Sequence, residues 1–392
     1  MLVFPRPPDS RMNSLMARSI ACGLLAASVV TFGPDTAGNA ANTITFSPTI
    51  VARAGSSNVL YVLWESNSCT LRRCLRLERS TNGGGTFTNV SVPPVTPVLG
   101  MNTSPISQLY FANPMDGYAV QFASTGPKWT TAALFATFNG GRTWHHDQIV
   151  PDSYVYSMAT SDRYVYALSD QCPTKGPKCE QVRLSRSPVS ASRWSPVALP
   201  RQLERYWLGN LDVAAYGQNL WLTTQDQMSS PYSPFLATSH DKGRSFTVRV
   251  QRDLTSAGSC GVLPISALVL WAQCDQGMMR GDIVYSDNGG ASWTANSFGQ
   301  LSNFAFGAFD PVSTVAAFFV NQWHPRTLFE VASESSPPRA VGSMPNGNDW
   351  ISLVFTNGAE GVALSQGTGG SYPNLLWRTG DGGTDWSRVR LL

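Results

Sequence analysis

The sequence predicts an all-β fold built from repeated four-stranded antiparallel units. Two observations carry this: a short turn motif returns along the chain, and a separate series of apolar, strand-like runs falls between its copies. Composition agrees, because 34 Gly, 26 Pro and 14% charged residues among 392 make a chain too apolar for disorder and rich in turn formers.

The turn motif is read in "YSDNGGASW", Tyr285 to Trp293. It returns as "RSTNGGGTF" ending at Phe87, "ATFNGGRTW" ending at Trp144, "ATSHDKGRSF" ending at Phe246 and "WRTGDGGTDW" ending at Trp386. A degraded copy, "SRSPVSASRW", ends at Trp194. The gap from Trp293 to Trp386 is about twice the usual step, and a further unit near "VASESSPPRA", Val331 to Ala340, has lost the signature.

The second series consists of β-branched or aromatic runs that end in a polar residue. They start at Asn58, Asp116, Asp162, Gly217, Ile265, Val312 and Ala359. Most follow another strand-like run and a tight turn, as in "SQLYFANPMDGYAV" and "ISLVFTNGAEGVAL", which is the signal of a β-hairpin. The two series interleave, so each unit reads as hairpin, third strand, turn motif and fourth strand, with a mean repeat of about 50 residues. Seven such units over residues 41–392 predict a seven-bladed β-propeller, whose circular closure leaves only short strand edges. The segment "TITFSPTIVA" either begins the first blade or completes the last.

Each fixed position of the motif has a mechanical reading. Asn82, Asn139, Asp241, Asn288 and Asp381 are expected to bond the backbone two residues on, as in an Asx turn. Gly84, Gly141, Gly243, Gly290 and Gly383 supply the positive φ such turns need. The hydroxyls of Thr86, Thr143, Ser245 and Ser292 are placed to bond inside the loop. The closing aromatics Phe87, Trp144, Phe246, Trp293 and Trp386 are expected to pack between sheets, each costing about 3–5 kcal/mol on truncation if fully buried. Repetition argues for a structural rather than catalytic role, since a catalytic group is needed once.

Residues 1–40 read as a secretion signal. Arg18 precedes an apolar run from Ile20 to Phe32, and Gly38 and Ala40 stand where a signal peptidase reads. The run is short for a membrane span and is interrupted by Gly23 and Ser28, and no second one follows. The mature chain is therefore expected outside the cytoplasm, with no integral membrane segment and as a monomer. Six cysteines remain in close pairs, Cys69 with Cys74, Cys172 with Cys179 and Cys260 with Cys274, which suggests disulfides by spacing alone. No pair has the Cys-x-x-Cys spacing of a zinc site, and neither a metal nor a cofactor is expected. A net charge of +3, without Lys/Arg runs, argues against nucleic acid.

These turns resemble the Asp box, or BNR repeat, shared by sialidases, several glycoside hydrolases, sortilin-type receptors and the seven-bladed propellers of the photosystem II assembly-factor type (WD40/YVTN/BNR-like). The resemblance implies a fold of the sialidase-like superfamily and no particular activity. Sialidases would add an Arg-Ile-Pro segment and an arginine triad. The nearest counterpart here, "FSPTIVARAG", keeps Pro48 but has Ser47 before it, so the triad does not carry across.

A glycoside hydrolase nevertheless stands as the alternative, because two carboxyl groups at suitable separation would suffice. Glu65, Asp152, Glu204, Asp226, Asp275 and Asp349 are available, and spacing singles out none. The leading expectation is a non-catalytic binding or assembly module. Intra-hairpin turns and motif turns share one face, so the longer second-to-third and fourth-to-first connections share the other. That face carries Trp129, Arg205, Tyr206, Trp207, Tyr232, Trp323, His324, Arg326 and Tyr372, side chains of the kind that anchor a glycan, peptide or protein partner.

Overall fold

A computed structural model describes residues 46–66, 75–95, 106–121, 124–125, 128–129, 133–147, 153–161, 163–171, 181–201, 203, 212–225, 234–250, 260–277, 280–295, 306–308, 317–320, 327–331, 339–343, 350–365 and 374–390. Among them the chain is an all-β propeller of four-stranded antiparallel blades. The first sheet joins Phe46–Arg53, Leu60–Ser66, Leu75–Ser80 and Thr88–Val90. The second joins Ile106–Phe111, Gly117–Gln121, Ala133–Thr137 and His145–Asp147, and the third Ser153–Thr160, Tyr164–Gln171, Gln181–Pro188 and Ser195–Val197. The fourth takes Asp212–Tyr216, Asn219–Gln225, Pro234–Ser239 and Thr247–Val250, and the fifth Cys260–Pro264, Leu270–Gly277, Arg280–Ser286 and Thr294–Ala295. The sixth takes Phe306–Ala308, Ala317–Val320, Thr327–Val331 and Arg339–Ser343, and the seventh Trp350–Phe355, Gly361–Ser365, Leu375–Thr379 and Ser387–Val389.

In every sheet the strands pair in chain order. Phe46–Arg53, out of "TITFSPTIVA", therefore begins the first sheet, and the seventh completes itself from its own four strands. A two-stranded ribbon that the repeat pattern did not announce, Ser124–Thr125 with Lys128–Trp129, is inserted between the second and third strands of the second sheet.

Burial follows position within the sheet. Second strands are covered on both faces, so Leu60 to Trp64 and Gly117 to Gln121 are continuously buried, whereas fourth strands such as Thr88–Val90 are largely exposed. The core is accordingly divided into clusters between neighbouring sheets. Leu63, Leu77, Ile106 and Phe135 fill the first joint, Val120, Leu134, Val155 and Ala167 the second, Leu168, Leu184, Val213 and Leu222 the third, and Trp221, Leu236, Leu270 and Val284 the fourth. Leu328 packs with Leu353 and Phe355 between the sixth and seventh sheets, and Leu60, Val62 and Trp64 pack with Val362 and Leu376 between the first and the seventh.

That last cluster joins the two ends of the described chain, and polar bonds run beside it. The Arg53 guanidinium donates to the Thr356 carbonyl at 3.2 Å, the Asn374 backbone N–H to Ser47 Oγ at 2.8 Å, and the Asn374 amide to the Pro48 carbonyl at 3.0 Å.

The first strands of the first, second, third and seventh sheets each shift register at a bulge, between Pro48 and Ile50, Ile106 and Gln108, Val155 and Ser157, and Trp350 and Ser352. The skipped residues Thr49 and Ser107 turn their hydroxyls to the Leu63 and Val120 carbonyls of the next strand. A bulge tightens local twist, here repeatedly on the strand that opens the blade.

Candidate functional site

The recurring turn is built the same way five times. A hydroxyl at the end of the third strand (Ser80, Thr137, Ser239, Ser286 or Thr379) donates to the Asx carboxyl or amide oxygen two residues on, at 2.8–3.1 Å. The same hydroxyl accepts the N–H of the glycine four residues on, at 2.8–3.0 Å. The Asx oxygen then accepts the N–H of Thr86, Thr143, Ser245, Ser292 or Asp385 at 2.9–3.0 Å. The expected Asx bond thus reaches four residues rather than two, because two positive-φ residues widen the loop, as at Gly83 (φ 62°) and Gly84 (φ 89°). In the fourth sheet Lys242 fills the first of these positions at φ 63°. The loop hydroxyls do bond inside the turn: the amides of Asn82, Asn139 and Asn288 donate to Thr86, Thr143 and Ser292, and Ser245 donates to Asp241. That hydroxyl, with the Ser245 N–H, holds the Asp241 carboxyl well below the usual carboxylate range.

The closing aromatics differ from expectation. Trp293 is buried, at 6% exposure, whereas Phe87, Trp144, Phe246 and Trp386 are half-buried. They lie against one neighbouring sheet and keep an edge in solvent. The Trp144 indole N–H donates to the Ser91 carbonyl of the first sheet at 2.8 Å, and that of the degraded copy's Trp194 to Asp147 of the second at 2.9 Å.

Joints between sheets carry a second recurring device. The residue before the turn hydroxyl is an arginine in three sheets: Arg79, Arg186 and Arg378. Each sits opposite a second-strand residue in register, namely Tyr61, Tyr166 and Val362. Arg186 is spent internally, donating to the Lys242 carbonyl at 2.9 Å and lying 5.2 Å from the Tyr164 ring centroid. Arg378 faces the Glu360 carboxylate at 3.6 Å. Arg79 has neither. Its Nε, like that of Arg378, is buried with no hydrogen-bond partner among the described residues, and its guanidinium lies beside the Tyr61 side chain, 6.0 Å from the ring centroid. Tyr61 offers no negative charge, since its hydroxyl donates to the Pro114 carbonyl at 2.9 Å and burial, against the opposing pull of Arg79, pushes its pKa up to about 12. Arg79 opens into a cleft of about 450 Å³ lined also by Thr88, Asn89, Val90, Ser91, Gly140 and the exposed Arg142.

Of the residues expected on the opposite face, Trp129 ends the inserted ribbon, its backbone paired with Ser124. Arg205, Tyr206, Trp207, Tyr232, Trp323, His324, Arg326 and Tyr372 lie outside the described residues. The strands before and after them end on the rim away from the recurring turns, because consecutive antiparallel strands alternate direction. Cys69, Cys74, Cys172 and Cys179 also lie outside, while Cys260 and Cys274 stand directly opposite each other on adjacent strands. Of the six carboxylates weighed for glycoside hydrolysis, Asp152, Glu204, Asp226 and Asp349 lie outside the described residues. Glu65 and Asp275 fall on second strands of different sheets. Among the described residues no three His, Cys, Asp or Glu side chains gather where they could hold a metal ion. The Arg79 cleft had escaped sequence reasoning. An Arg before the turn hydroxyl signals it only when the partner position, held by Glu360 in the seventh sheet and Val59 in the first, is compared between repeats.

No protein-family model matches the chain, and no curated protein sequence does either. Solved structures do. YCF48 bound to D1 peptide is similar at 16% identity and a TM-score of 0.50, over 76% of this chain and 82% of that one. The β-propeller domain of the Trilobed protease from Pyrococcus furiosus is similar at 7% identity and a TM-score of 0.54, over 88% and 95%. The acylaminoacyl peptidase of Pyrococcus horikoshii is similar at 7% identity and a TM-score of 0.57, with 89% of this chain covering 53% of that longer one. At such identities the likeness is one of fold.

Proposed function

We propose that the chain is an exported, non-catalytic binding module that recognises a peptide or protein outside the cytoplasm. In this reading residues 1–40 are a leader. The seven four-stranded sheets are seven Asp-box blades closing one ring, and Trp129, Arg205, Tyr206, Trp207, Tyr232, Trp323, His324, Arg326 and Tyr372 form the recognition face. The observation that carries it is the strand direction. Every long connection bearing those aromatic and arginine side chains is anchored on one rim, over sheets clipped together on the other, which is how a rigid scaffold presents a binding surface. A peptide or protein is favoured over a glycan because a propeller of similar fold, YCF48, has been solved with a peptide bound.

The test is the Trp207→Ala/Trp323→Ala double variant, screened with the parent on peptide and glycan arrays. Loss of peptide capture at unchanged Tm supports the reading. Identical capture by both proteins, or capture of glycans alone, overturns it.

A further inference from the structure

From the joint between the first and second sheets we infer a second binding site, on the face of the recurring turns, where Arg79 and Arg142 take a carboxylate of an acidic peptide segment. This goes beyond the recognition face proposed above, which lies on the opposite rim.

A guanidinium at the pre-turn position is costly to bury without a partner, and the protein supplies one wherever else it places an arginine there. At the seventh-to-first joint the partner is Glu360, the residue preceding the second strand. At the third-to-fourth joint it is the Tyr164 ring, from the position equivalent in register, with the Lys242 carbonyl. In the first sheet the position is Val59, which is apolar and buried, so among the described residues Arg79 has the neutral Tyr61 side chain beside it but neither the carboxylate that Arg378 faces nor the carbonyl that Arg186 reaches.

The polar neighbours are otherwise engaged. Glu78 pairs with Arg76 at 2.6 Å, Asn89 Oδ1 accepts the Arg76 Nε–H at 2.6 Å, Thr88 donates to the Arg79 carbonyl, and Ser91 donates to the Arg142 carbonyl. Among the described residues no Asp or Glu lines the cleft, and two arginines do.

The chemistry selects the ligand. A guanidinium fork matches the two oxygens of a carboxylate, and two forks in one cleft leave it positive. The wall is the strand Thr88–Val90, the outer edge of its sheet, so alternate backbone groups face outward, and an extended peptide can meet them in register as a sugar cannot. A peptide with spaced Glu or Asp side chains fits both features.

The experiment measures fluorescence anisotropy of the full chain with a labelled, terminally capped decapeptide of alternating Glu and Ser, its Gln counterpart, and a sulfated oligosaccharide. The acidic peptide is expected to bind, with the Gln peptide about tenfold weaker or worse. Arg142→Gln is exposed and should weaken binding about tenfold without changing Tm, and Arg79→Gln should do likewise. Val59→Glu would install the counter-charge that Glu360 supplies to Arg378 and should abolish binding. The Trp207→Ala/Trp323→Ala variant should leave this binding intact. Equal binding of the Glu and Gln peptides, binding of the sulfated sugar alone, or full binding by Arg142→Gln overturns the site. The reading of the opposite face stands or falls separately, on its own double variant.

Discussion

The guanidinium of Arg53 donates to the backbone carbonyl of Thr356 at 3.2 Å, a bond between residues 303 apart in sequence. It also donates to the Ser57 carbonyl at 3.1 Å, tying the first hairpin of the first sheet to that of the seventh. Arg53→Ala is expected to destabilise the protein by about 1–3 kcal/mol, since it leaves carbonyls at the closing joint without a charged donor. Urea unfolding with an unchanged m-value checks it. An unaltered midpoint would mean that the apolar cluster of Leu60, Val62, Val362 and Leu376 holds the joint alone.

Gly383 and Gly217 separate backbone strain from crowding. Both have positive φ, 90° and 57°, but a Cβ on Gly383 would stand 2.1 Å from Leu328 Cδ2 of the sixth sheet, whereas one on Gly217 meets nothing within 4 Å. Gly217→Ala should cost about 1 kcal/mol and Gly383→Ala about 2–4 kcal/mol, because Leu328 is fully buried and cannot move aside cheaply. Thermal melts of the two variants give the comparison.

Burial ranks the closing aromatics. Trp293 is enclosed among Leu236, Leu270 and Val284, so Trp293→Ala should cost about 3–5 kcal/mol. Phe87 keeps an edge in solvent, and Phe87→Ala should cost distinctly less. Equal losses in chemical denaturation would show that the aromatics act through the turn rather than through packing.

The Asp241 turn should lend the protein acid-sensitive stability. Its folded-state pKa lies below the ordinary 3.8, so the stabilisation is present above that value and is lost as pH falls through the folded pKa. Asp241→Asn can keep the turn bonds, as Asn82, Asn139 and Asn288 do. The Tm advantage of the parent over this variant should therefore shrink between about pH 5 and pH 2. An advantage constant over that range would assign the turn's stability to its neutral bonds.

Cys260 and Cys274 occupy directly opposed positions of an antiparallel pair, where Cα atoms stand about 4.5–5.5 Å apart, inside the span a disulfide bridges. Peptide mapping of the protein without reductant should recover them linked. Two free thiols at these positions would contradict both the pairing and an oxidising location.

What the sequence determined by itself was the local part: hairpins, third strands and five copies of one turn. These depend on side-chain alternation, Asx and glycine chemistry within ten or so residues. The two-residue Asx reach was misjudged because the run of two positive-φ residues depends on backbone angles that composition does not report. Bulges at Thr49 and Ser107 and the half-burial of Phe87 and Trp144 were equally invisible, since each answers to a neighbouring strand or sheet. Only the tertiary structure decided which end of the chain opens the first sheet. It also decided where Arg53 finds Thr356, and that Arg79, alike in sequence context to Arg378, has no carboxylate beside it among the described residues. Charge balance at a joint is set by residues that folding brings together, and a linear pattern records their identities but not their meeting.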